Sequence, residues 1–235
     1  SMIGRLFNPL KRQSLFLFGA RGTGKSTALK SLFSSTTTEF FDLLDLGLQD
    51  EFGLDPMRFK SRVLSAIAQG KTTIVVDEIQ KIPRLLDSVH QLIESHKVQF
   101  VLTGSSARRL KQKGTNLLAG RALNYEMFPF THRELTTAFA LDRALNYGTL
   151  PSSYLAESDE LREEFLRSYA LAYLEREIQQ EQWVRKLENF RRFLPVCAQM
   201  NGHIINRSAI ARDVGVDDMT VALYFEILED TLMGI

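Results

Sequence analysis

Short apolar runs alternate with amphipathic stretches along the first half of the chain. Each run is bounded by glycine or charged residues, as a buried strand is, and the stretches between them carry apolar residues at helical spacing. The predicted strands cover residues 15–18, 39–46, 72–80, 98–106 and 121–128. The predicted helices cover residues 24–33, 55–70 and 83–96. Strands that alternate with helices indicate βαβ units, and therefore a mostly parallel sheet covered by helices on both faces.

The pattern changes after Phe128, where strand signals fade and helical spacing dominates, most clearly over residues 159–178. We therefore predict a core domain over residues 1–128 and a helical region over residues 129–202. Residues 203–235 form a third, short helical segment in this division of the chain. The fold class is α/β for the core, with a smaller and mostly helical domain appended to it.

A glycine-rich loop follows the first predicted strand and precedes the first predicted helix. It fits G-x-x-x-x-G-K-[ST], in the strand and helix context that this motif requires. In such a loop the backbone N–H groups and the positive end of the helix point at one place, where they bind phosphate. The motif predicts a P-loop for a nucleoside triphosphate. The residues that would contact the nucleotide are Gly19, Ala20, Arg21, Gly22, Thr23, Gly24, Lys25, Ser26 and Thr27.

Two carboxylates, Asp77 and Glu78, end the third predicted strand. Adjacent side chains of a strand point to opposite faces, so the two should have different functions. Lys25 would neutralise the β- and γ-phosphates, while Ser26 and Asp77 would hold Mg²⁺ and Glu78 would polarise a water molecule. The other interpretation of the acidic pair is a cap on the next turn.

An inserted strand over residues 39–46 separates the P-loop strand from the strand of Asp77. Such a strand, together with a glutamate after the aspartate, is typical of the additional-strand, catalytic-glutamate class of P-loop NTPases. That class is a three-layer α/β sandwich with a mostly parallel sheet, and it includes the AAA-type ATPases. The combination favours hydrolysis of the triphosphate.

Polar residues end the fourth predicted strand, and basic residues follow it. Ser105, with Thr103 in reserve, is a candidate sensor of the γ-phosphate, and the alternative is a serine that caps the next helix. Arg121 opens the fifth predicted strand and is a candidate to act on the phosphates in cis or in a neighbouring subunit of a homo-oligomer. Its alternative is a surface ion pair. A basic run between them, typical of a solvated helix face, contains Arg108, Arg109, Lys111 and Lys113.

Residues 208–230 read as two short helices around a turn at Gly215, a helix-turn-helix pattern. Residues placed to form its small core are Ile210, Val214, Val216, Val221 and Leu228. Residues 217–235 contain acidic side chains and neither lysine nor arginine, whereas a helix that reads the major groove should be basic. We therefore favour a winged-helix-like packing or interaction module over DNA binding, which stays open as the alternative.

Composition limits the other possibilities. The formal net charge of +1 gives no general attraction to nucleic acid or to acidic membranes. No apolar run approaches the ~18 residues that span a bilayer, and Cys197 is the only cysteine, so we expect a cytoplasmic protein without membrane contact. The four histidines lack ligand spacing, so we expect no metal other than Mg²⁺.

The stretches "GARGTGKST", "VVDEIQKIP", "FVLTGSSARRL", "LLAGRAL" and "YGTLPSSY", with the helix-turn-helix segment, resemble the prokaryotic AAA-like ATPases that carry an uncharacterised C-terminal domain. The resemblance implies an ATPase core whose nucleotide-binding residues are Gly19, Gly24, Lys25, Ser26, Asp77 and Glu78. Family members continue into a nuclease-like region after the helix-turn-helix, whereas this chain ends at "DTLMGI", as a shortened chain or a natural short form would.

Three functions remain open at this point. The first is Mg²⁺-dependent hydrolysis of ATP to ADP and phosphate, coupled to a conformational or assembly change. The second is a nucleotide-gated DNA-binding regulator or a defence-related module that uses ATP as a switch. The third is an assembly module that binds ATP without useful turnover.

Overall fold

The structure is a computed structural model, and it describes residues 3–105, 110, 118, 120–173 and 187–230. Contacts within the chain divide it into two compact units, Ser1–Ala140 and Leu141–Ile235. The first unit extends past the predicted boundary near Phe128, because a short helix that follows the last strand packs within this unit.

The first unit contains a five-stranded sheet in the order β2-β3-β4-β1-β5, and all neighbouring strands are parallel. The strands are β1 (Ser14–Phe18), β2 (Thr38–Asp42), β3 (Thr73–Asp77), β4 (Gln99–Gly104) and β5 (Ala122–Glu126). β1 and β4 are buried along their whole length, in keeping with the apolar runs at their centres. The predicted α/β fold with a parallel sheet is confirmed.

Helices cover both faces of a parallel sheet of this kind because each crossover connection needs one. In this unit they are α1 (Lys25–Leu32), α2 (Leu46–Leu54), α3 (Pro56–Ala68), α4 (Leu85–Ser95) and α5 (His132–Leu135). α3 begins as its sequence indicates, since Pro56 occupies the first turn and the side chain of Asp55 accepts a hydrogen bond from the N–H of Met57 at 2.9 Å.

The predicted strand over residues 39–46 is too long. The Asp42 carboxylate accepts a hydrogen bond from the N–H of Leu44 at 2.9 Å, which turns the chain, and Asp45 caps α2. Helix α2 was not predicted, because its apolar residues do not follow a clear helical period.

The second unit is helical in the part that the structure describes. Its helices are α6 (Leu141–Tyr147), α7 (Pro151–Tyr154), α8 (Asp159–Ser168), α9 (Leu187–Gln199), α10 (Arg207–Val214) and α11 (Asp218–Asp230). The helix predicted over residues 159–178 includes α8 and a π-helical turn at Tyr169–Tyr173, and its end lies outside the described residues.

Helices α9, α10 and α11 share a core in which Phe190 and Phe193 pack around Tyr224. Gly215 has a φ of 76° and ends α10, as the predicted turn requires. The predicted core residues Ile210, Val214, Val221 and Leu228 are buried, and Val216 packs against them. The two predicted helices and their turn are therefore present.

Candidate nucleotide-binding site

Three strands end at the same edge of the sheet and bring the predicted nucleotide-binding residues together. The register pairs Phe18 of β1 with Gly104 of β4, and Val76 of β3 with Leu102 of β4. The glycine-rich loop that follows β1, the carboxylates that follow β3 and the polar residues that end β4 are consequently neighbours. In an open α/β sheet, ligands bind at this carboxyl edge.

The glycine-rich loop is built around backbone conformations that favour glycine. Gly22 has a φ of 77°, and Gly24 has a φ of 89° immediately before α1. Gly19 is required by space, since a Cβ atom there would lie 2.4 Å from the carbonyl oxygen of Met127. The side chain of Thr23 is buried and its hydroxyl donates to the carbonyl of Ala20 at 2.8 Å, which closes the loop.

The ammonium group of Lys25 lies inside this loop. Its side chain is buried, and Nζ donates to the carbonyl oxygens of Gly19 at 2.6 Å and Ala20 at 3.2 Å. The other loop residues differ in their exposure. Gly19, Ala20 and Thr23 are buried, Gly24 is half-buried, and Arg21, Gly22, Ser26 and Thr27 are exposed.

Ser26, Asp77 and Thr103 form a hydrogen-bonded row across the strand ends. The Ser26 hydroxyl donates to Oδ2 of Asp77, and the hydroxyl of the fully buried Thr103 donates to Oδ1 of the same carboxylate. Thr103 is therefore a residue that orients Asp77, a function that the sequence analysis did not assign to it. The sequence signal for this function is that Thr103 lies at the end of a buried strand, next to the strand that ends at Asp77.

The donor set suits Mg²⁺, which binds a few hard oxygen ligands of the protein and completes its shell with phosphate oxygens and water. The Ser26 hydroxyl and the Asp77 carboxylate supply two such oxygens side by side. Among the residues that the structure describes, no group of three or more histidine, cysteine, aspartate or glutamate side chains is arranged to hold a metal ion.

Glu78 follows Asp77 in a left-handed backbone conformation, with a φ of 60° and a ψ of 45°. This conformation is uncommon for a residue with a side chain and is held here because the N–H of Glu78 donates to the hydroxyl of Thr103 at 3.2 Å. The Glu78 carboxylate accepts a hydrogen bond from the side chain of Gln80. The carboxylates of Asp77 and Glu78 therefore have different hydrogen-bond partners, although Thr103 contacts both residues.

Ser105 and Gln80 lie beside Glu78, and both are buried. Gln80 Nε2 donates to the Ser105 hydroxyl oxygen at 3.1 Å as well as to Glu78. Gln80 was not predicted as a site residue, because a glutamine in a short turn carries no periodic signal. The basic run with Arg108, Arg109, Lys111 and Lys113 lies outside the described residues.

Arg121 is not brought to the glycine-rich loop. It directly precedes β5, whose first residue pairs with Ser14 at the beginning of β1, so it lies at the opposite edge of the sheet. Its guanidinium is 2.5 Å from the carboxylate of Glu94, and both side chains are partly exposed. This contact is the surface ion pair that was the alternative for Arg121, and it gives no support to action on the phosphates in cis. Action in a neighbouring subunit stays a prediction.

Arg5 connects the N-terminal segment to the glycine-rich loop. It donates to the Thr23 carbonyl at 2.8 Å, to the Phe128 carbonyl at 2.5 Å and to the Glu134 carboxylate at 2.9 Å. Its guanidinium also lies 4.9 Å from the centre of the Phe130 ring. Arg5 was not predicted as a site residue, because no sequence pattern marks it. Its partner Glu134 does have a sequence signal, the capping-box spacing with Thr131.

A cavity of about 320 Å³ lies beside this arginine. It is lined on one side by residues 5–8 and on the other by the end of β5 and the residues that follow it, including Tyr125 and Met127. Because the carbonyl of Met127 abuts Gly19 and Arg5 contacts Thr23, the cavity adjoins the glycine-rich loop.

None of the helices in the described part of the chain combines the length and the hydrophobicity that crossing a membrane requires.

Comparison with known proteins agrees with this architecture. Residues 11–136 match the family model described as "AAA domain", and residues 138–234 match a model described as a domain of unknown function, DUF8612. The first match covers more than half of the chain. The chain therefore belongs to the AAA domain family.

Relatives of the chain occur in bacteria and archaea. The uncharacterised protein Rv2008c of Mycobacterium tuberculosis is 28% identical over 232 residues, which cover 97% of this chain and 51% of the relative. The uncharacterised protein MJ1637 of Methanocaldococcus jannaschii is 29% identical over 133 residues, which cover 53% of this chain and 28% of the relative. The chain thus spans about half the length of the mycobacterial relative and less of the archaeal one.

Two of the similar solved structures are the replication initiator DnaA bound to AMPPCP and single-stranded DNA, and the Aeropyrum pernix ORC1 protein in complex with DNA. DnaA has a TM-score of 0.40 and 12% identity, over 93% of this chain and 82% of its own. ORC1 has a TM-score of 0.42 and 13% identity, over 93% of this chain and 78% of its own. Because these TM-scores and identities are low, the ligands of DnaA and ORC1 say nothing about the ligands of this chain.

Proposed function

We propose that the chain binds ATP with Mg²⁺ and hydrolyses it to ADP and phosphate, coupling the reaction to a conformational or assembly change. One observation carries the proposal: the Ser26 hydroxyl and the Asp77 carboxylate meet at the same sheet edge where Lys25 is buried in a glycine-rich loop. A cation, two hard oxygen ligands and convergent backbone N–H groups are what a magnesium triphosphate requires.

Each residue has a stated part in the proposed reaction. Lys25 would exchange its contacts with the loop carbonyls for phosphate oxygens and neutralise their charge. Ser26 and Asp77 would hold Mg²⁺, which when bound neutralises charge on the phosphate oxygens. Glu78 would accept a proton from a water molecule that attacks the γ-phosphorus, and the bond from that phosphorus to the bridging oxygen would break to leave ADP.

The cavity beside Arg5 is our proposed binding site for the nucleobase of ATP. It adjoins the loop, and two aromatic residues that line it and are not buried, Tyr125 and Phe128, offer the contacts that a flat ring needs. Family membership favours adenine. Titration of ATP and GTP against the same protein by calorimetry measures the preference directly.

Glu78→Gln is the variant that tests hydrolysis. The amide is nearly isosteric but cannot take up a proton, so ATP should bind with an unchanged affinity while phosphate release falls by at least about 100-fold. Glu39→Gln is the matched control, because it makes the same chemical change in β2 on the same sheet. Phosphate release by Glu78→Gln at the wild-type rate would refute the role of Glu78.

A nucleotide-gated DNA-binding regulator is the second candidate. The arrangement of α10, the turn at Gly215 and α11 favours it, because two helices around such a turn are the frame of a helix-turn-helix. The exposed carboxylates of Asp217, Asp218, Glu226 and Glu229 oppose it, since they would repel DNA phosphates.

A further inference from the structure

We propose that Gln80 is a positioning residue that couples Ser105 to the Glu78 carboxylate, so that a γ-phosphate bound at Ser105 sets where that carboxylate points. The inference rests on the proposed ATPase function and extends it to a residue that contacts neither nucleotide nor metal in the proposal. Its basis is a pair of hydrogen bonds through which the buried amide of Gln80 joins Glu78, the proposed general base, to Ser105, the proposed sensor of the γ-phosphate.

The direction of the hydrogen bonds determines what the relay can transmit. An ionised carboxylate only accepts, so the NH₂ group of Gln80 must face Glu78, and its second hydrogen goes to the Ser105 oxygen. A hydroxyl can accept in this way and donate its own hydrogen to an acceptor at the same time. A phosphate oxygen is such an acceptor, and hydrogen bonding to it would fix the Ser105 oxygen and, through Nε2, the Glu78 carboxylate.

In the described part of the chain, the surroundings of Gln80 satisfy only one end of its amide group, so folding stability alone does not explain its position. Its side chain is 3% exposed, and Oε1 has no hydrogen-bond partner among the described residues. An unpaired buried carbonyl oxygen is unfavourable for folding. A merely structural glutamine would be expected to satisfy both of its ends.

Gly104 supports the same conclusion. The backbone of Gly104 is that of an ordinary strand, so its conformation does not require glycine. A Cβ atom at this position, however, would lie 2.7 Å from Gln80 Oε1. The lack of a side chain at residue 104 therefore makes room for the amide between Glu78 and Ser105, directly beside the start of the glycine-rich loop, where the N–H of Gly19 donates to the Gly104 carbonyl at 3.3 Å.

Gln80→Met tests the coupling by kinetics, because methionine keeps the length and volume of the side chain but cannot donate. We expect kcat to fall between about 10- and 100-fold, with KM and the Kd of ATP unchanged within about twofold. Combining Gln80→Met with Ser105→Ala should cost no more than the larger single effect, since both break one relay. The proposal is overturned if the losses in kcat of the two single variants multiply in the double variant, or if Gln80→Met leaves kcat unchanged.

Gln99→Met is the matched control. Gln99 is also a buried glutamine, at the start of β4, and its side chain donates to the Gln13 carbonyl at 2.9 Å, far from the carboxyl edge of the sheet. The same change there should leave kcat and the Kd of ATP unchanged. Circular dichroism melts of both variants identify any loss of activity that comes from unfolding.

A second measurement keeps this proposal distinct from the ATPase proposal itself. In ¹⁵N-labelled protein, the side-chain NH₂ signals of Gln80 are identified by their loss in Gln80→Met. We expect them to shift in Ser105→Ala, and to shift more with a non-hydrolysable ATP analogue and Mg²⁺ than with ADP. Signals that Ser105→Ala does not move would overturn the relay, whereas wild-type protein that binds ATP without releasing phosphate would overturn only the hydrolysis.

Discussion

The guanidinium of Arg5 lies 2.9 Å from the carboxylate of Glu134, although 129 positions separate the two residues in the chain. Both side chains are largely buried, at 10% and 4% exposure. Glu134 also accepts hydrogen bonds from the N–H groups of Leu6 and Thr131. The pair therefore fixes the N-terminal segment to α5, and through the Arg5 contact with Thr23 it reaches the glycine-rich loop.

The first prediction concerns the pH dependence of stability. Burial alone would raise the pKa of the Glu134 carboxyl, but the hydrogen bonds from Thr131 and Leu6 and the charge of Arg5 outweigh burial, so this pKa is lowered from 4.5. A carboxyl with a lowered pKa stabilises the fold above its ordinary pKa, and that contribution is lost as the pH falls through the folded value.

Glu134→Gln should consequently lower the free energy of unfolding at neutral pH by a constant amount. The difference from the wild type should shrink as the pH falls below about 4.5, the ordinary pKa that the carboxyl keeps in the unfolded chain, and then through the lowered pKa of the folded protein. Urea unfolding of the two proteins between pH 7 and pH 3 measures this difference in the free energy of unfolding. Stability curves that stay parallel over this range would contradict the lowered pKa.

The second prediction is that Arg5→Ala destabilises the first unit by about 3 kcal/mol, because it leaves the Glu134 carboxylate buried without its cation. ATP should also bind more weakly, since the carbonyl of Thr23 loses its donor. Arg58→Ala is the control, because Arg58 is 3.9 Å from Asp55 in an exposed pair and should change stability by less than about 0.5 kcal/mol. Equal effects of the two substitutions would contradict the role assigned to Arg5.

The third prediction compares two glycines. Gly19→Ala should destabilise the protein by about 2 to 3 kcal/mol and abolish tight ATP binding, because the new Cβ would lie 2.4 Å from a backbone oxygen of Met127. Gly53 lies in α2, where a Cβ atom would meet nothing within 4 Å outside its own helix, so Gly53→Ala should stabilise by about 0.5 to 1 kcal/mol. Thermal unfolding and ATP calorimetry distinguish the two. A Gly19→Ala protein as stable as Gly53→Ala would show that the loop and the Met127 carbonyl can separate at little cost.

The glycine-rich loop and its neighbouring carboxylates could be predicted from the sequence because their positions follow from local patterns. A strand, a loop of fixed spacing and a helix define the loop, and the parallel sheet brings Asp77 to the same edge. The contacts of Thr103, Gln80 and Arg5 could not be predicted in this way. They depend on strand register, on side-chain rotamers and on a segment before β1 that has no hydrophobic period.

Arg121 shows a different limit. Its sequence context, a glycine before a strand, was compatible with a place at the phosphates. In a parallel sheet, however, a residue that precedes a strand lies at the amino edge, and a loop that follows a strand lies at the carboxyl edge. The pairing of Ser14 with Ala122 therefore puts Arg121 at the amino edge, where it forms an ion pair with Glu94.

The last prediction concerns DNA and separates the two proposed functions. The second helix of the proposed helix-turn-helix, α11, presents exposed carboxylates at Asp218, Glu226 and Glu229, and the preceding turn presents Asp217. Contacts with phosphate need cations and release counterions, so binding by this surface should be absent even at low salt. We expect labelled duplex DNA to show no change in fluorescence anisotropy at about 50 mM salt, with or without ATP and Mg²⁺.

Binding that weakens steeply between about 50 and 200 mM salt would contradict this expectation. Such a result, lost when Arg207 and Arg212 of α10 are replaced by alanine, would instead favour the nucleotide-gated DNA-binding regulator.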